Sequence, residues 1–308
     1  MKKRMPQLLV LAGLYGTACA AQADAVALPP MNLGNTSFLD GIAAPGFLFE
    51  LSTSFYHATT IRDDAGNAAP GNPRVDVGAI VSHVAYISPN IKLFGGNVGA
   101  EILVPFVYTN LEPGHGIKDR VFSAGDIQFS PFLVQWSGQT IFGMPFFQRF
   151  DLLFSAPTGQ YNRNALANAG SNVWSIAPYY AFTLMPTDKV EISARINYQW
   201  NSRNTRPTTG LNASSVQPGD ALSIDLAGSY AVTGHWRVGI AGYVLEQLGE
   251  DRIDGNRQSN SKERLFGAGP GLMYQGDKYQ ILVNAYKEWG ARNRPEGSKI
   301  VLRYLKPF

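Results

Sequence analysis

Polar and apolar residues alternate along this chain with a period of two. The cleanest run is residues 190–200 (VEISARINYQW). Val190, Ile192, Ala194, Ile196, Tyr198 and Trp200 fall on one face, and Glu191, Ser193, Arg195, Asn197 and Gln199 on the other. A β-strand meets such a pattern; a helix, whose faces repeat every 3.6 residues, does not. The run is longer than an average globular strand of about 5–6 residues. It matches the roughly 9–11 residues with which a tilted strand crosses a bilayer.

The same alternation recurs. Residues 47–59 set Phe47, Phe49, Leu51 and Phe55 against Glu50, Ser52 and Ser54. Residues 98–108 set Ile102, Val104, Phe106 and Tyr108 against Gly99 and Glu101. Residues 123–135 set Ile127, Phe129 and Leu133 against Asp126, Gln128 and Ser130, and residues 146–156 set Phe150, Leu152 and Phe154 against Arg149, Asp151 and Ser155. Residues 221–232 and 279–289 follow suit, and weaker runs lie near 75–87, 173–185, 236–248, 264–275 and 299–308. Together they predict an all-β chain of about twelve strands.

The connections sort into two kinds. Long polar ones are expected near 60–74, 109–122, 157–172, 202–219, 249–263 and 290–298. Short ones are expected at Pro186-Thr187-Asp188, Thr233-Gly234-His235 and Gly276-Asp277-Lys278, with more hydrophobic turns near 88–97 and 137–145. Long loops on one side and tight turns on the other describe a closed, antiparallel, up-and-down transmembrane β-barrel. An even strand number places both ends of the barrel on the short-turn, periplasmic side. Aromatic residues near predicted strand ends (among them Tyr86, Trp136, Trp174, Trp200, Trp236 and Trp289) suit interfacial girdles.

Composition narrows the picture. Charged residues are 16% of the 308, against about 25% in ordinary soluble domains. No apolar run beyond residue 25 reaches the roughly 18 residues of a membrane helix. Residues 1–25 read as a secretory signal: Lys2, Lys3 and Arg4, then a short apolar core, then two small-x-small cleavage sites, after Ala20 and after Ala25. Either cut removes Cys19, the only cysteine, so neither a disulfide scaffold nor a thiolate metal site is expected. The net charge of +3, without a basic cluster, argues against nucleic acid as a partner. Residues 26–45 precede the barrel, which is expected over 46–308. Their apolar part, 31–45, could fold inward as a plug or hang as a periplasmic tail.

The chain ends in Phe308, with Tyr304, Leu302 and Ile300 before it at alternate positions. Such an end resembles the signal read by the barrel-assembly machinery of Gram-negative bacteria, although Lys306 and Pro307 depart from it. Other motifs are Pro157-Thr158-Gly159-Gln160-Tyr161 with Asn168, Gly170, Asn172 and Trp174; Ser193-Ala194-Arg195-Ile196-Asn197-Tyr198; and Phe38-Leu39-Asp40-Gly41 with Pro45-Gly46. With these the chain resembles the meta-pathway phenol-degradation family of SphA-like outer-membrane proteins. The resemblance implies an outer-membrane barrel that helps hydrophobic compounds enter the cell. It brings no catalytic residue and no cofactor.

The polar face then lines a lumen. Candidate lining residues are Glu101, Arg149, Asp151, Glu191, Arg195, Asp225, Arg264 and Arg303, with Glu50, Asp126, Asn284 and Glu288 beside them. A charge at the lipid midplane costs about 2–4 kcal/mol for Arg or Lys, so these side chains are assigned inward. They could form a structural network, Arg149 or Arg195 pairing Asp151 or Glu191, or a selective constriction. Catalysis finds little support. The four histidines, His57, His83, His115 and His235, sit in strands, a loop and a turn. No G-x-S-x-G elbow or metal spacing accompanies them. The expected function is passage of small hydrophobic or aromatic compounds across the outer membrane; a structural or adhesive barrel and an outer-membrane hydrolase are the competing readings.

Overall fold

Each alternating run forms a strand that hydrogen-bonds antiparallel to its neighbours, because a backbone in hydrocarbon must satisfy every N–H and C=O within the protein. The computed structural model describes residues 26–114 and 116–308; the expected leader and His115 lie outside the described residues. The wall strands are β1 (Gly46–Arg62), β2 (Arg74–Leu93), β3 (Gly96–Gly114), β4 (Ile117–Ala124), β5 (Gln128–Ile141), β6 (Met144–Ser155), β7 (Ser175–Leu184) and β8 (Val190–Asn201). Beyond β9 (Val216–Gln217), in a loop, follow β10 (Ala221–Ala231) and β11 (Trp236–Gln247). Past β12 (Arg252–Ile253) and β13 (Asn256–Arg257), also in a loop, come β14 (Arg264–Gln275), β15 (Gln280–Arg292) and β16 (Arg294–Pro307).

β1 pairs with both β2 and β16, so the sheet closes on itself. β4 and β5 lie end to end along β3 and count as one stave, giving the closed 12-strand barrel that the alternation predicts. Phe47 and Phe308 exchange backbone hydrogen bonds of 3.1 and 2.9 Å at the seam of first and last strand.

Some expected loops are strand. Residues 109–114 and 117–122 pair with each other as the ends of β3 and β4, and 290–298 hold a tight turn at Asn293 (φ 53°) between β15 and β16. Polar residues mark where the wall leaves the membrane, and a ladder continues into water as readily as it ends there. On the other rim, β2 and β3 run on to a two-residue turn, Phe94-Gly95, with φ of 50° and 81°. Both values are positive, as the hairpin turn matching strand twist requires, and glycine takes the second without strain.

The two faces separate as expected. Leu51, Phe55, Ile80, Val84, Ile102, Phe106, Ile192, Ile196, Ile240 and Ile300 are exposed and form the lipid belt. Rings meet at its short-turn rim: Trp236 packs on Tyr274, Tyr274 on Tyr279, and Tyr279 on Tyr304. Trp174, Trp200 and Trp289 stand at the opposite rim, half exposed.

The structure corrects the face of particular residues. Arg264 does not line the lumen. Leu265 and Met273 on β14 are buried inward, so the period of two turns Arg264 outward with Phe266. Its guanidinium lies 5.6 Å from the Phe266 ring centre and donates to the Gly290 carbonyl at the outer rim, where water reaches it. Leu133 was expected to share the face of Phe129. A bulge at Pro131-Phe132 shifts the register against both β3 and β6, and Leu133 turns inward, 1% exposed.

Residues 26–45 run through the barrel. Val26 lies at the long-loop end, hydrogen-bonded to Asp251, and the segment descends to Gly46 at the other rim. Met31 and Phe38 join Tyr243, Leu245, Leu265, Met273, Leu282 and Tyr286 in the largest buried apolar cluster. The core is therefore a contact between this segment and the β11–β16 side of the wall.

Candidate functional site

Asp40 is the anchor of the inner segment. It is the only charged residue in 26–45, and its carboxylate accepts a forked pair from Arg195, Nε at 2.9 Å and Nη2 at 2.8 Å. Arg149 donates to the Asp40 carbonyl at 3.0 Å. The Tyr179 ring lies 4.1 Å beneath the Arg195 guanidinium, and its hydroxyl donates to Asp151 at 3.1 Å. Planar forked pairing and ring stacking are geometries that a lysine would not reproduce.

Further contacts fasten the segment along its length. Asp225 accepts the Gly34 N–H at 2.7 Å, Ser37 donates to Asn284 at 2.9 Å, and Lys299 donates to the Leu33 carbonyl at 2.6 Å. Gly41 donates its N–H to Thr183 and accepts from Gln135. A Cβ at Gly41 would overlap the backbone of Phe182 and Thr183. Gly41→Ala is therefore expected to lift this part of the segment off the wall and to lower the unfolding temperature, by the roughly 1–3 kcal/mol typical of overpacking; thermal unfolding in detergent measures it.

Beside the segment runs a cavity of about 940 Å³. Its lining reaches from Tyr161, Pro207 and Leu211 in the long loops to Leu305 and Pro307 at the opposite rim. The inward faces of β2 and β3 form one wall, with Val75, Val77, Ala79, Val81, Leu103 and Val107. A polar band crosses this wall. Arg303 makes a forked pair with Glu50 at 2.7 and 3.1 Å, and His83 bridges Glu50 at 3.4 Å and Glu101 at 3.1 Å. The cavity is thus amphipathic: an apolar sheet for a ring or alkyl body, and a polar stripe for a hydroxyl or carboxyl group.

The wall is discontinuous next to this cavity. β4 pairs with β3 on one edge, but among the described residues no strand pairs with its other edge. β6 ends at Ser155, and the loop 156–174 takes the vacant place. Gln160 donates its N–H to Ala124 at 3.0 Å, and Ala156 donates to Ile127 at 2.9 Å. Asp126, in the break between β4 and β5, receives the Gly159 N–H at 2.9 Å and the Ser171 N–H at 2.7 Å. Asp119 receives the Leu166 and Ala167 N–H groups at 2.8 and 3.0 Å. A loop held by a few such bonds opens at lower cost than a strand in a full ladder.

Residues 58–304 match the model of a family described as "Putative MetA-pathway of phenol degradation". The chain belongs to this family. The match spans the barrel from the end of β1 to β16 and stops short of the inner segment. No curated protein matches the chain. Among solved structures, it is similar to the COG4313 outer membrane channel from Pseudomonas putida F1, with a TM-score of 0.78 and 16% identity over 89% of this chain and 100% of that one. It is also similar to the transport unit of the autotransporter AIDA-I from Escherichia coli, with a TM-score of 0.52 and 6% identity over 89% and 93%. Both likenesses are of fold.

In this family member Arg149, Asp151, Glu191, Arg195, Asp225 and Arg303 lie on the lumen side with Glu101, and Arg264 alone of the sequence candidates stands outside. Their partners differ from those expected. Arg149 and Arg195 pair with Asp40 rather than with Asp151 or Glu191. Glu191 accepts hydroxyl bonds from Ser193 and Ser229, at 2.5 and 2.6 Å. Sequence reasoning overlooked Asp40, His83 as a bridge, and the apolar inner face of β2. Signals existed: a lone charge in an apolar segment, and a strand apolar at both parities, since Ile80, Val84 and Tyr86 face outward while Val75, Val77 and Val81 face inward.

Proposed function

We propose that this barrel sits in the outer membrane of a Gram-negative bacterium and passes small hydrophobic or aromatic compounds, without chemical conversion. The observation that carries the reading is the apolar inner face of β2 and β3, which borders both the cavity and the seam beside β4. A water-filled pore for polar solutes has no use for such a face, whereas a ring leaving water gains about 25 cal/mol for each Å² it buries. A solute would enter among the long loops, rest against Val77, Val81 and Leu103 with its polar group on the Glu50–His83–Glu101 stripe, and leave along the lumen or sideways through the seam. The family description and the outer-membrane-channel fold support this reading. The last strand, β16, which pairs with β1 and is followed by Phe308, suits delivery by the barrel-assembly machinery.

Deleting the gene is expected to slow growth on an aromatic carbon source when that source is scarce, with no effect when it is abundant. Complementation with Val81→Asp should restore the barrel but not the uptake. The aspartate would put a desolvated charge on the apolar face and cut uptake of radiolabelled aromatic by roughly tenfold, about 1.4 kcal/mol. Unchanged uptake in both strains would remove the transport reading and leave a structural or adhesive barrel.

A further inference from the structure

At the outer end of the lumen Val26 meets a buried carboxylate. The Val26 nitrogen lies 2.8 Å from Asp251 Oδ2. Val26 is 8% exposed and Asp251 is fully buried. The other donors to Asp251 are neutral: the Gly219 N–H at 2.9 Å and the Gln247 amide at 2.6 Å. Among the described residues no side-chain cation comes within ion-pair distance of it. Glu263 lies close by and already takes Arg294, at 2.8 Å, and the Leu28 N–H, at 3.0 Å. This corner therefore buries two carboxylates against one guanidinium. With an amide nitrogen at Val26, burial pushes the Asp251 carboxyl up to about 7. A buried charge normally persists only where a partner compensates it.

We propose that the leader is cut between Ala25 and Val26, and that the new α-ammonium of Val26 pairs with Asp251 to lock the inner segment in the lumen. The sequence offers cuts after Ala20 and after Ala25. Only the second puts a charged nitrogen beside Asp251. The reaction is hydrolysis by the endopeptidase that removes secretory leaders. Water adds across the Ala25–Val26 amide: Ala25 keeps the hydroxyl oxygen as a carboxylate, and the Val26 nitrogen gains hydrogen and a proton. The nitrogen is buried in the closed barrel, so the cut precedes closure, and the ammonium becomes the partner that the carboxylate otherwise lacks.

The test begins with protein isolated from the outer membrane of its host. N-terminal sequencing and intact mass should give Val26 as the first residue; a start at Ala21, or at Met1, overturns the proposal. Reductive dimethylation of the α-amine near neutral pH should run at least about tenfold slower in the folded barrel than after unfolding, because the nitrogen is reached only through opening. Equal rates overturn the ion pair. Asp251→Asn, and separately a Gly-Ser insertion between Ala25 and Val26, should each lower the unfolding temperature, and the two together should add little to either alone. Additive losses would show that the nitrogen and the carboxylate do not act as a pair. Should Asp251→Asn fail to fold, the labelling of the native protein decides.

Discussion

Asp40→Ala is expected to free the inner segment and to turn a narrow passage into an open, conducting one. The substitution removes the carboxylate that Arg195 grips at 2.8 and 2.9 Å and leaves two guanidiniums, Arg149 and Arg195, without their anion. Breaking a buried pair by deleting one partner costs about 3–5 kcal/mol, most of it from the uncompensated charge that stays behind. Apart from the packing of Met31 and Phe38, the remaining contacts of residues 26–45 are mostly single hydrogen bonds, each contributing about 0.5–1.5 kcal/mol net. The segment should therefore spend much of its time off the wall. Planar-bilayer recording should show a several-fold larger ionic conductance, and the unfolding temperature in detergent should fall. Asp40→Asn should behave almost as badly, since it keeps the shape and loses the charge. Wild-type conductance in both variants would mean that the segment is held by its other contacts, among them the packing of Phe38 and Met31 and the bond of Val26 to Asp251.

A disulfide across the seam should have the second large effect, and in the opposite direction. Gln160 donates its N–H to the Ala124 carbonyl at 3.0 Å. The bond brings the two backbones close together, near the Cα separation of about 4.4–6.8 Å that a disulfide spans. The native cysteine, Cys19, belongs to the expected leader, so Ala124→Cys with Gln160→Cys would introduce the pair into a chain otherwise free of thiols once the leader is gone. Oxidation should lower uptake of an aromatic solute by at least about tenfold, a barrier increase of about 1.4 kcal/mol. Dithiothreitol should restore it. Ionic conductance along the lumen should not change. A locked seam with normal uptake would show that solute leaves through the end of the barrel.

These experiments address separate parts of one design. The conductance of Asp40→Ala reports on the segment that fills the lumen, and the disulfide reports on the wall. Val81→Asp reports on the surface between them. A solute path along β2 and β3 and out beside β4 requires the last two to affect the same uptake, while the first acts through the lumen.

Much of the barrel was legible in the sequence because alternation is a local property. In residues 190–200 the lipid face and the lumen face are written residue by residue, and β8 has the predicted parity throughout. The loops near 109–122 and 290–298 were not legible, because a strand above the membrane is polar on both faces and reads like a loop. Arg264 was misplaced for a related reason. Its charge suggested the lumen, but at the outer end of β14 water and headgroups relieve the outward cost. Leu133 was misplaced because a bulge adds a residue and flips every side chain after it, and the two-residue rhythm carries no mark of where that occurs beyond Pro131.

The sequence alone determined the class of the fold, the strand number and the allocation of most side chains to lipid or lumen, since each follows from the spacing of neighbours along one strand. Only the tertiary structure decided what the lumen holds. Asp40 meets Arg149 and Arg195 across more than a hundred residues of chain, and Val26 meets Asp251 across 225. The loop 156–174 likewise reaches the edge of β4 through contacts distant in the chain, Gln160 with Ala124 and Leu166 with Asp119. Pairings of this kind depend on which staves face each other across the closed ring and on where the inner segment lies, and period-two alternation carries no record of either.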